Sequence, residues 1–452
     1  MFKKILIANR GEIAVRIIRA CREMGIMTVA VFSEADRDAL HAQMADEAVC
    51  VGPAKARDSY LNMQNILSAA CKTGAEAIHP GFGFLSENSV FASMCADCQI
   101  KFIGPEASAI DLLGNKANAK GTMVSAGVPV IPGSDGAVES FEEAEQLAEM
   151  FGYPVMVKAS AGGGGRGIRV VREAKDLRQA FDAAGSEAKA AFGDGTLYME
   201  KLIENARHIE VQILGDEFGN VVHLGERDCS LQRRNQKVLE EAPSVAVSDA
   251  ARRAMGEAAC RAARAVGYTN AGTIEFLYDR SGAFYFMEMN TRIQVEHPVT
   301  EMVTGVDIVK EQIRIAARMP LSIRQSDVQI MGHAIECRIN AEDAKRNFTP
   351  SPGTVQYLLL PSGGMGLRVD SAVFAGYTIP PYYDSMIAKV ITHAPTREEA
   401  IEKMRRALSE FIIRGVETNI DFQMDILNHP LYQEGSFDTG FVMREMMTPG
   451  EN

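Results

Sequence analysis

The chain has 452 residues, too many for one hydrophobic core, so about three domains are expected. Its hydrophobic share of 46% and charged share of 23% are those of a soluble globular protein. A net charge of -12 excludes nucleic acid as the main partner, since no basic surplus exists to neutralise phosphates, although a small anion can still bind where Lys and Arg cluster.

The N-terminal "MFKKILIANR" has an apolar run that stops at Ala8, too short for a signal peptide, and no later stretch is apolar enough to span a membrane. A cytoplasmic protein with no membrane partner is expected. The chain opens as a βαβ unit: "KKILIA" reads as a buried strand and "NRGE" as a turn. A helix follows from Glu12, with Ile13, Ile17, Cys21 and Met24 on one face and Arg16, Arg19 and Arg22 largely off it. "MTVAVFSEAD" is the next strand, and further units run through "EAIHPGFGFLSEN" and "IKFIGPE". Residues to about Gly114 therefore read as a doubly wound α/β domain. The first turn has no GxGxxG, so dinucleotide binding there is not indicated. "CADC", Cys95 to Cys98, is the single CxxC among eight scattered cysteines. Without a second pair it is read as reduced thiols rather than a zinc site.

A second block starts with the polar helix "NKANAKGTMVSAG" and reaches "KASAGGGGRGIRVV", Lys158 to Val171. Gly162, Gly164 and Gly167 satisfy GxGxxG, but a Rossmann loop needs a helix next, and "GIRVVRE" alternates with period two like a strand. A Walker loop fails because Ile168 and Arg169 stand where Lys and Ser/Thr are required. A kinase loop fails because Lys158 precedes the glycines and no HRD or DFG occurs. What remains is a hairpin tip without side chains, whose backbone N–H groups can fold over nucleotide phosphates with Lys158 on the entering strand. The bland alternative is a surface hairpin with no ligand. A helix near Ala174–Ala190 follows, and "LYMEKLIENARHIEVQILGD" reads as strand, connection, strand. In it His208 is either a ligand contact or a half-buried strand histidine.

"QRRNQKVLEEAP" supplies Gln232, Arg233, Arg234 and Lys237, a cationic cluster in an acidic chain. "TIEFLYDRSGAFYFMEMN" reads as a hairpin turning at "DRSG", which puts Glu275, Glu288 and Asn290 on one face. Two carboxylates and an amide oxygen suit Mg²⁺ on nucleotide phosphates; the alternative is a solvated acidic face. In "TRIQVEH", an extended segment would point Arg292, Gln294 and Glu296 the same way, as an anion clamp with a general base or as a plain salt bridge. "IECRINAED" puts Arg338 on a buried strand, where it must face an acid or a substrate anion. From about Gly332 short strands and Gly/Pro turns dominate. They close on an amphipathic helix in "TREEAIEKMRRALSEF" with Ala400, Ile401, Met404, Ala407, Leu408 and Phe411 on its apolar face.

Eight segments in order, "KKILIANRGEIAVR", "IHPGFGFLSEN", "KASAGGGGRG", "MEKLIENARHIEVQ", "ERDCSLQRRNQKVLEEAP", "EMNTRIQVEHPVTE", "IECRINAED" and "PYYDSMIAK", resemble the biotin carboxylase family of the ATP-grasp superfamily. The resemblance extends to about Arg444. It implies an N-terminal α/β domain (1–114), a central ATP-grasp domain (115–330, with a mobile glycine-rich lid at about 131–203) and a C-terminal α+β domain (331–446).

By motif, it implies nucleotide contacts at Lys116, Lys158, Gly164, Gly165, His208, Gln232 and Asn235, with Glu200, Lys201, Leu202 and Ile203 as a hinge around the adenine. Glu275 and Glu288 match magnesium or manganese ligands, two ions in all, with Asn290 beside them. Lys237, Arg292, Gln294 and Val295 match the bicarbonate pocket, Glu296 the base, and Arg338 a residue serving bicarbonate and biotin. Asn235 departs from the family, whose pattern there is usually "QRRHQK".

The implied activity is ATP-dependent carboxylation of biotin by bicarbonate, the first half-reaction of acetyl-CoA carboxylase in fatty acid biosynthesis. No "AMKM"-like attachment sequence occurs, so biotin arrives on a biotin carboxyl carrier protein. A carboxyltransferase and a second copy of the chain, as homodimer, complete the expected partners. Two rivals stand beside this reading: another ATP-grasp ligase that makes an acyl phosphate for an amine, and a non-catalytic nucleotide-binding subunit. Bicarbonate-dependent ATP hydrolysis stimulated by free biotin separates the first. Tight nucleotide binding without turnover would favour the second.

Overall fold

The computed structural model describes residues 1–159, 168–192 and 195–447, so the glycine tip from Gly162 to Gly167 lies outside the described residues. Strands β1 (Lys4–Ile7), β2 (Met27–Ser33), β3 (Glu47–Gly52), β4 (Ala77–His79) and β5 (Lys101–Phe102) form a parallel sheet in the order β3-β2-β1-β4-β5. Ile5, Leu6 and Ile7 are fully buried, as expected for a parallel strand covered on both faces. The helix Gly11–Glu23 buries Ile13, Ile17 and Cys21 and leaves Arg19 and Arg22 exposed, as its periodicity predicts.

Strand order reverses between β1 and β4, the place where open α/β sheets bind ligands. There Asn9 donates its amide hydrogens to the carbonyls of Pro80 and Phe82, both at 2.7 Å. Gly81, at φ +63°, makes this possible: a Cβ would come within 2.9 Å of the Asn9 amide nitrogen.

The chain forms two compact units. One comprises Met1–Val128, Arg207–Phe276 and Glu288–Asn452; the other comprises Pro129–Ala206 and Leu277–Met287. In the smaller unit, β6 (Val155–Ala159), β7 (Ile168–Val171) and β8 (Leu197–Lys201) form an antiparallel sheet with β6 central. Val155, Val157, Val171, Leu197 and Met199 pack there with Ala144, Ala148, Leu177 and Ala184 of the two adjoining helices. The period-two run after the glycines is thus a strand, paired Lys158 with Ile168.

Six further strands follow, β9 (Arg207–Gly215), β10 (Val221–Arg233), β11 (Gln236–Ala242), β12 (Asn270–Tyr278), β13 (Phe284–Asn290) and β14 (His333–Asn340), of which β12 and β13 run into the Leu277–Met287 segment of the smaller unit. With the strands Met386–Ala394 and Leu367–Ser371 they make one eight-stranded sheet, ordered β13-β12-β9-β10-β11-β14 and then those two. Because β11 pairs with β14, the composition shift near Gly332 falls inside a continuous sheet rather than at its end. The helix Arg397–Glu410 buries Ala400, Ile401, Met404, Ala407 and Leu408 against Ile335, Cys337 and Val390. A bond from Asp279 N to Ala283 O, 2.9 Å, closes the hairpin at "DRSG".

Candidate active site

Period-two alternation along β9 puts His208, Glu210 and Gln212 on one face, and all three are buried. Arg227 of β10, fully buried, faces them. It uses all five of its N–H donors: to Glu210 Oε1 (2.5 Å), Gln212 Oε1 (2.7 Å), Thr300 Oγ1 (3.0 Å), Thr273 Oγ1 (3.1 Å) and Gln294 Oε1 (2.7 Å). Sequence reading passed over Arg227. The buried-arginine argument applied to Arg338 would have found it in "ERDCSLQR", since an unpaired guanidinium cannot be afforded inside a sheet.

Lys237, at the start of β11, meets three carboxylates: Glu210 Oε2 at 2.6 Å, Glu296 Oε1 at 2.6 Å and Glu275 Oε1 at 3.2 Å. Burial opposes its charge, but Cys229 and these acids outweigh burial and hold its pKa well above the ordinary value. Glu296 also accepts from Arg338 Nη2 at 3.0 Å. Burial favours its neutral form, yet Lys237, Arg338 and Arg227 prevail and keep it ionised far below the usual carboxylate range. Arg338 donates through Nε to Glu240 Oε1 at 2.6 Å. Burial pushes the Glu240 carboxyl up to about 7 even with Arg338 beside it. The requirement that Arg338 face an acid is therefore met twice.

Glu275, 5% exposed, accepts from Asn290 Nδ2 (2.8 Å) and Gln294 Nε2 (2.9 Å), and its other oxygen lies 3.1 Å from His208 Nε2. Burial works against its charge, but Lys237 and His208 hold it ionised well below the usual range. His208, Glu210 and Glu275 bring ligand atoms within 4.8 Å of one another, a donor set that fits a divalent cation. Neither Cys95 nor Cys98 belongs to such a group among the described residues. Asn290 turns its Oδ1 to Arg292 (2.9 Å), and Glu288 is half-buried on β13.

Two expectations change. The segment from Arg292 to Glu296 is not extended: it turns into the helix His297–Thr304, with Glu296 as N-cap and Pro298 in the first turn. Gln294 and Glu296 still reach the cluster, but Arg292 bonds Glu87 Oε2 (2.8 Å) and Asn290, so the arginine paired with Glu296 is Arg338.

The cationic cluster of "QRRNQK" also disperses. Arg234 and Asn235 form the tip between β10 and β11 at φ +49° and +64°, a conformation that Asn tolerates. Arg233 stacks on Phe348 and Arg234 reaches Asn347, leaving Gln232 (2.9 Å from His208 Nδ1) and Lys237 facing the site.

A cavity of about 560 Å³ opens where β1 and β4 end. Arg292, Val295 and Arg338 line it together with Glu12, Phe82 and Tyr383. Of the other expected nucleotide contacts, Lys158 pairs with Glu200 in the smaller unit, where the main chain of Lys201 and Leu202 bonds Pro132 and Pro154, and Ile203 is half-buried. Lys116 begins the helix Lys116–Ser125, and its side chain, like Gly164 and Gly165, lies outside what is described.

Three family models together match most of the chain: the biotin carboxylase N-terminal domain at residues 1–110, the ATP-binding domain of the carbamoyl-phosphate synthase L chain at 115–324, and the biotin carboxylase C-terminal domain at 336–444. Biotin carboxylase 1 of Bacillus subtilis (strain 168) is 60% identical over 98% of both chains. The chain belongs to the biotin carboxylase family. It has that family's three domains and its ATP-dependent ligase activity. Among solved structures, the biotin carboxylase subunit of pyruvate carboxylase is 55% identical, with a TM-score of 0.91 over 98% of both chains. Another solved neighbour is the biotin carboxylase domain dimer of Hydrogenobacter thermophilus 2-oxoglutarate carboxylase, in complex with MgADP, ADP and bicarbonate. It aligns at 53% identity and TM-score 0.87, covering 98% of this chain and 97% of that one. No helix among the described residues is long and apolar enough to cross a membrane.

Proposed function

We propose that this biotin carboxylase carboxylates biotin on a separate carrier protein through carboxyphosphate, as the first half-reaction of a cytoplasmic acetyl-CoA carboxylase. The observation that carries the chemistry is Glu296, fixed between Lys237 and the cavity-lining Arg338. The residues read as nucleotide contacts are Lys116, Lys158, Gly164, Gly165, Glu200–Ile203, His208, Gln232 and Asn235. Glu275 and Glu288 would hold Mg²⁺ or Mn²⁺, which supplies charge neutralisation at the phosphates when bound.

In its resting pairing Glu296 is too strong an acid to be a good base. Bicarbonate entering among Lys237, Arg292 and Arg338 draws Lys237 and Arg338 from Glu296, so Glu296 regains proton affinity as the substrate docks. Glu296 then takes the bicarbonate proton while Lys237 and Arg292 hold the anion in line for the γ-phosphoryl group. ADP leaves, and carboxyphosphate breaks down to CO₂ and phosphate. The phosphate deprotonates the biotin ureido nitrogen, which attacks CO₂, and Arg338 stabilises the ureido oxygen as it gains charge.

The Hydrogenobacter neighbour is a dimer, which supports a homodimer here. Purified protein should hydrolyse ATP only with bicarbonate, faster with free biotin, and should transfer label from ¹³C-bicarbonate to a biotinylated carrier. Failure of label transfer overturns the reading. Which carboxyltransferase co-purifies, and whether malonyl-CoA forms with it, tests the assignment to acetyl-CoA carboxylase against pyruvate or 2-oxoglutarate carboxylation.

A further inference from the structure

We infer that Lys389 is a positioning residue for the bicarbonate-activating segment, acting through the main chain of Val295. Lys389 lies on the strand Met386–Ala394, opposite Arg338 on one neighbour and Asp370 on the other, and its side chain is fully buried. Its Nζ donates to the Val295 carbonyl at 2.8 Å. Glu12 Oε1 lies 3.2 Å away and Asp370 Oδ2 4.0 Å away.

The segment it reaches is the turn from Arg292 to Glu296, which has no ladder hydrogen bonds to fix its path. Val295 stands between Gln294, bound to Glu275 and Arg227, and Glu296, bound to Lys237 and Arg338. A charge-assisted bond to that one carbonyl sets where both flanking side chains project.

An ammonium in this place is unfavourable by itself, and a methionine would fill the volume. What keeps the charge is a chain of partners. Burial lowers the Lys389 pKa, while Glu12, Glu336 and Asp370 more than restore it; burial pushes the Glu12 and Glu336 carboxyls up, so Asp370, which Arg368 holds ionised against burial, is the firmest of the three. Asp370 is gripped by Arg368 at 2.9 and 2.7 Å, Arg368 reaches Glu301 at 2.7 Å, and Glu301 accepts from Arg16 at 3.1 Å. Glu12 and Val295 both line the 560 Å³ cavity, so Lys389 is tied to two of its wall residues.

This inference rests on reading Gln294–Glu296 as the bicarbonate segment, and the test separates the two. Lys389→Met, Glu12→Gln/Lys389→Met and Glu296→Gln are compared by bicarbonate-dependent ATP hydrolysis, by direct MgADP binding and by thermal midpoint. The expected result for Lys389→Met is a loss of at least about tenfold in kcat/KM for bicarbonate, with MgADP affinity within twofold, because misplacing reacting groups by a fraction of an ångström suffices. The double variant, which removes Lys389 together with its nearest acid, should recover most of the thermal midpoint but not the turnover. Bicarbonate kinetics within twofold of wild type in either Lys389 variant, or recovery of turnover in the double variant, overturns the role of Lys389. If Glu296→Gln is equally unaffected, the reading of the segment itself fails.

Discussion

Replacing Glu296 by glutamine removes one charge while keeping the side-chain shape, and the structure fixes what should follow. Glu296 Oε1 is 2.6 Å from Lys237 and Oε2 is 3.0 Å from Arg338. Glutamine cannot take the bicarbonate proton, and a positioned general base contributes roughly 10²–10⁴-fold, so kcat should fall by that factor, about 3–5 kcal/mol. The fold should survive, since Lys237 keeps Glu210 and Glu275 and Arg338 keeps Glu240. Binding should move the other way. Hydrogen bonds to charged groups contribute about 1.5–3 kcal/mol each, and the variant releases one cation partner on each side. If even about 1.4 kcal/mol of that passes to the incoming anion, KM for bicarbonate drops tenfold. The assay is steady-state ATP hydrolysis against bicarbonate with free biotin present, with MgADP binding as control. A kcat within about fivefold of wild type together with a tenfold higher KM would falsify the base assignment and leave Glu296 as a shaping residue only.

Arg338→Met should lower carboxybiotin formed per ADP at least about tenfold while leaving nucleotide binding intact. Pairing it with Glu240→Gln avoids an orphaned buried acid, and equal losses of both products would remove the proposed role. Glu275→Gln should raise the Mg²⁺ concentration for half-maximal activity by about 10–100-fold, read from a metal titration at fixed ATP; an unchanged requirement rules it out as a ligand. Glu241 is fully buried, and although burial raises its pKa, Arg397 and His333 bring it down to about 2 from 4.5. Its stabilisation is thus complete above the unfolded value and lost as pH falls through the folded one, a difference of about 3 kcal/mol. Glu241→Gln should be less stable by about that amount in urea at pH 7, with the gap closing toward pH 3; a pH-independent gap would contradict the linkage.

Much of the fold was legible because its signals are local. The parallel sheet follows from apolar runs separated by helices of period 3.6, and the strand after the glycines follows from strict alternation in "GIRVVRE". The helix Arg397–Glu410 buries the face its pattern names. "TRIQVEH" misled because three polar residues at period two imitate a strand, whereas Pro298 starts a helix one residue beyond the motif and bends the chain before it. "QRRNQK" misled because the chain reverses at Arg234 and Asn235, sending its arginines and its lysine to different neighbours.

The supporting charges were hidden for a different reason. The rule that buried charge must be paired told that Arg338 has a partner, but Glu240 lies 98 residues away in sequence and is brought close by a register between β11 and β14 that no local pattern encodes. Lys389 is hidden the same way: it sits in an apolar strand like any misplaced cation, and its meaning lies in the carbonyl that the turn at Val295 presents. Residues that touch a substrate must be of a particular chemical type at a particular spacing, and motifs preserve both. Residues that hold those in place need only the right charge at the right depth. Electrostatics therefore predicts that such residues exist, and only the strand register can say which ones they are.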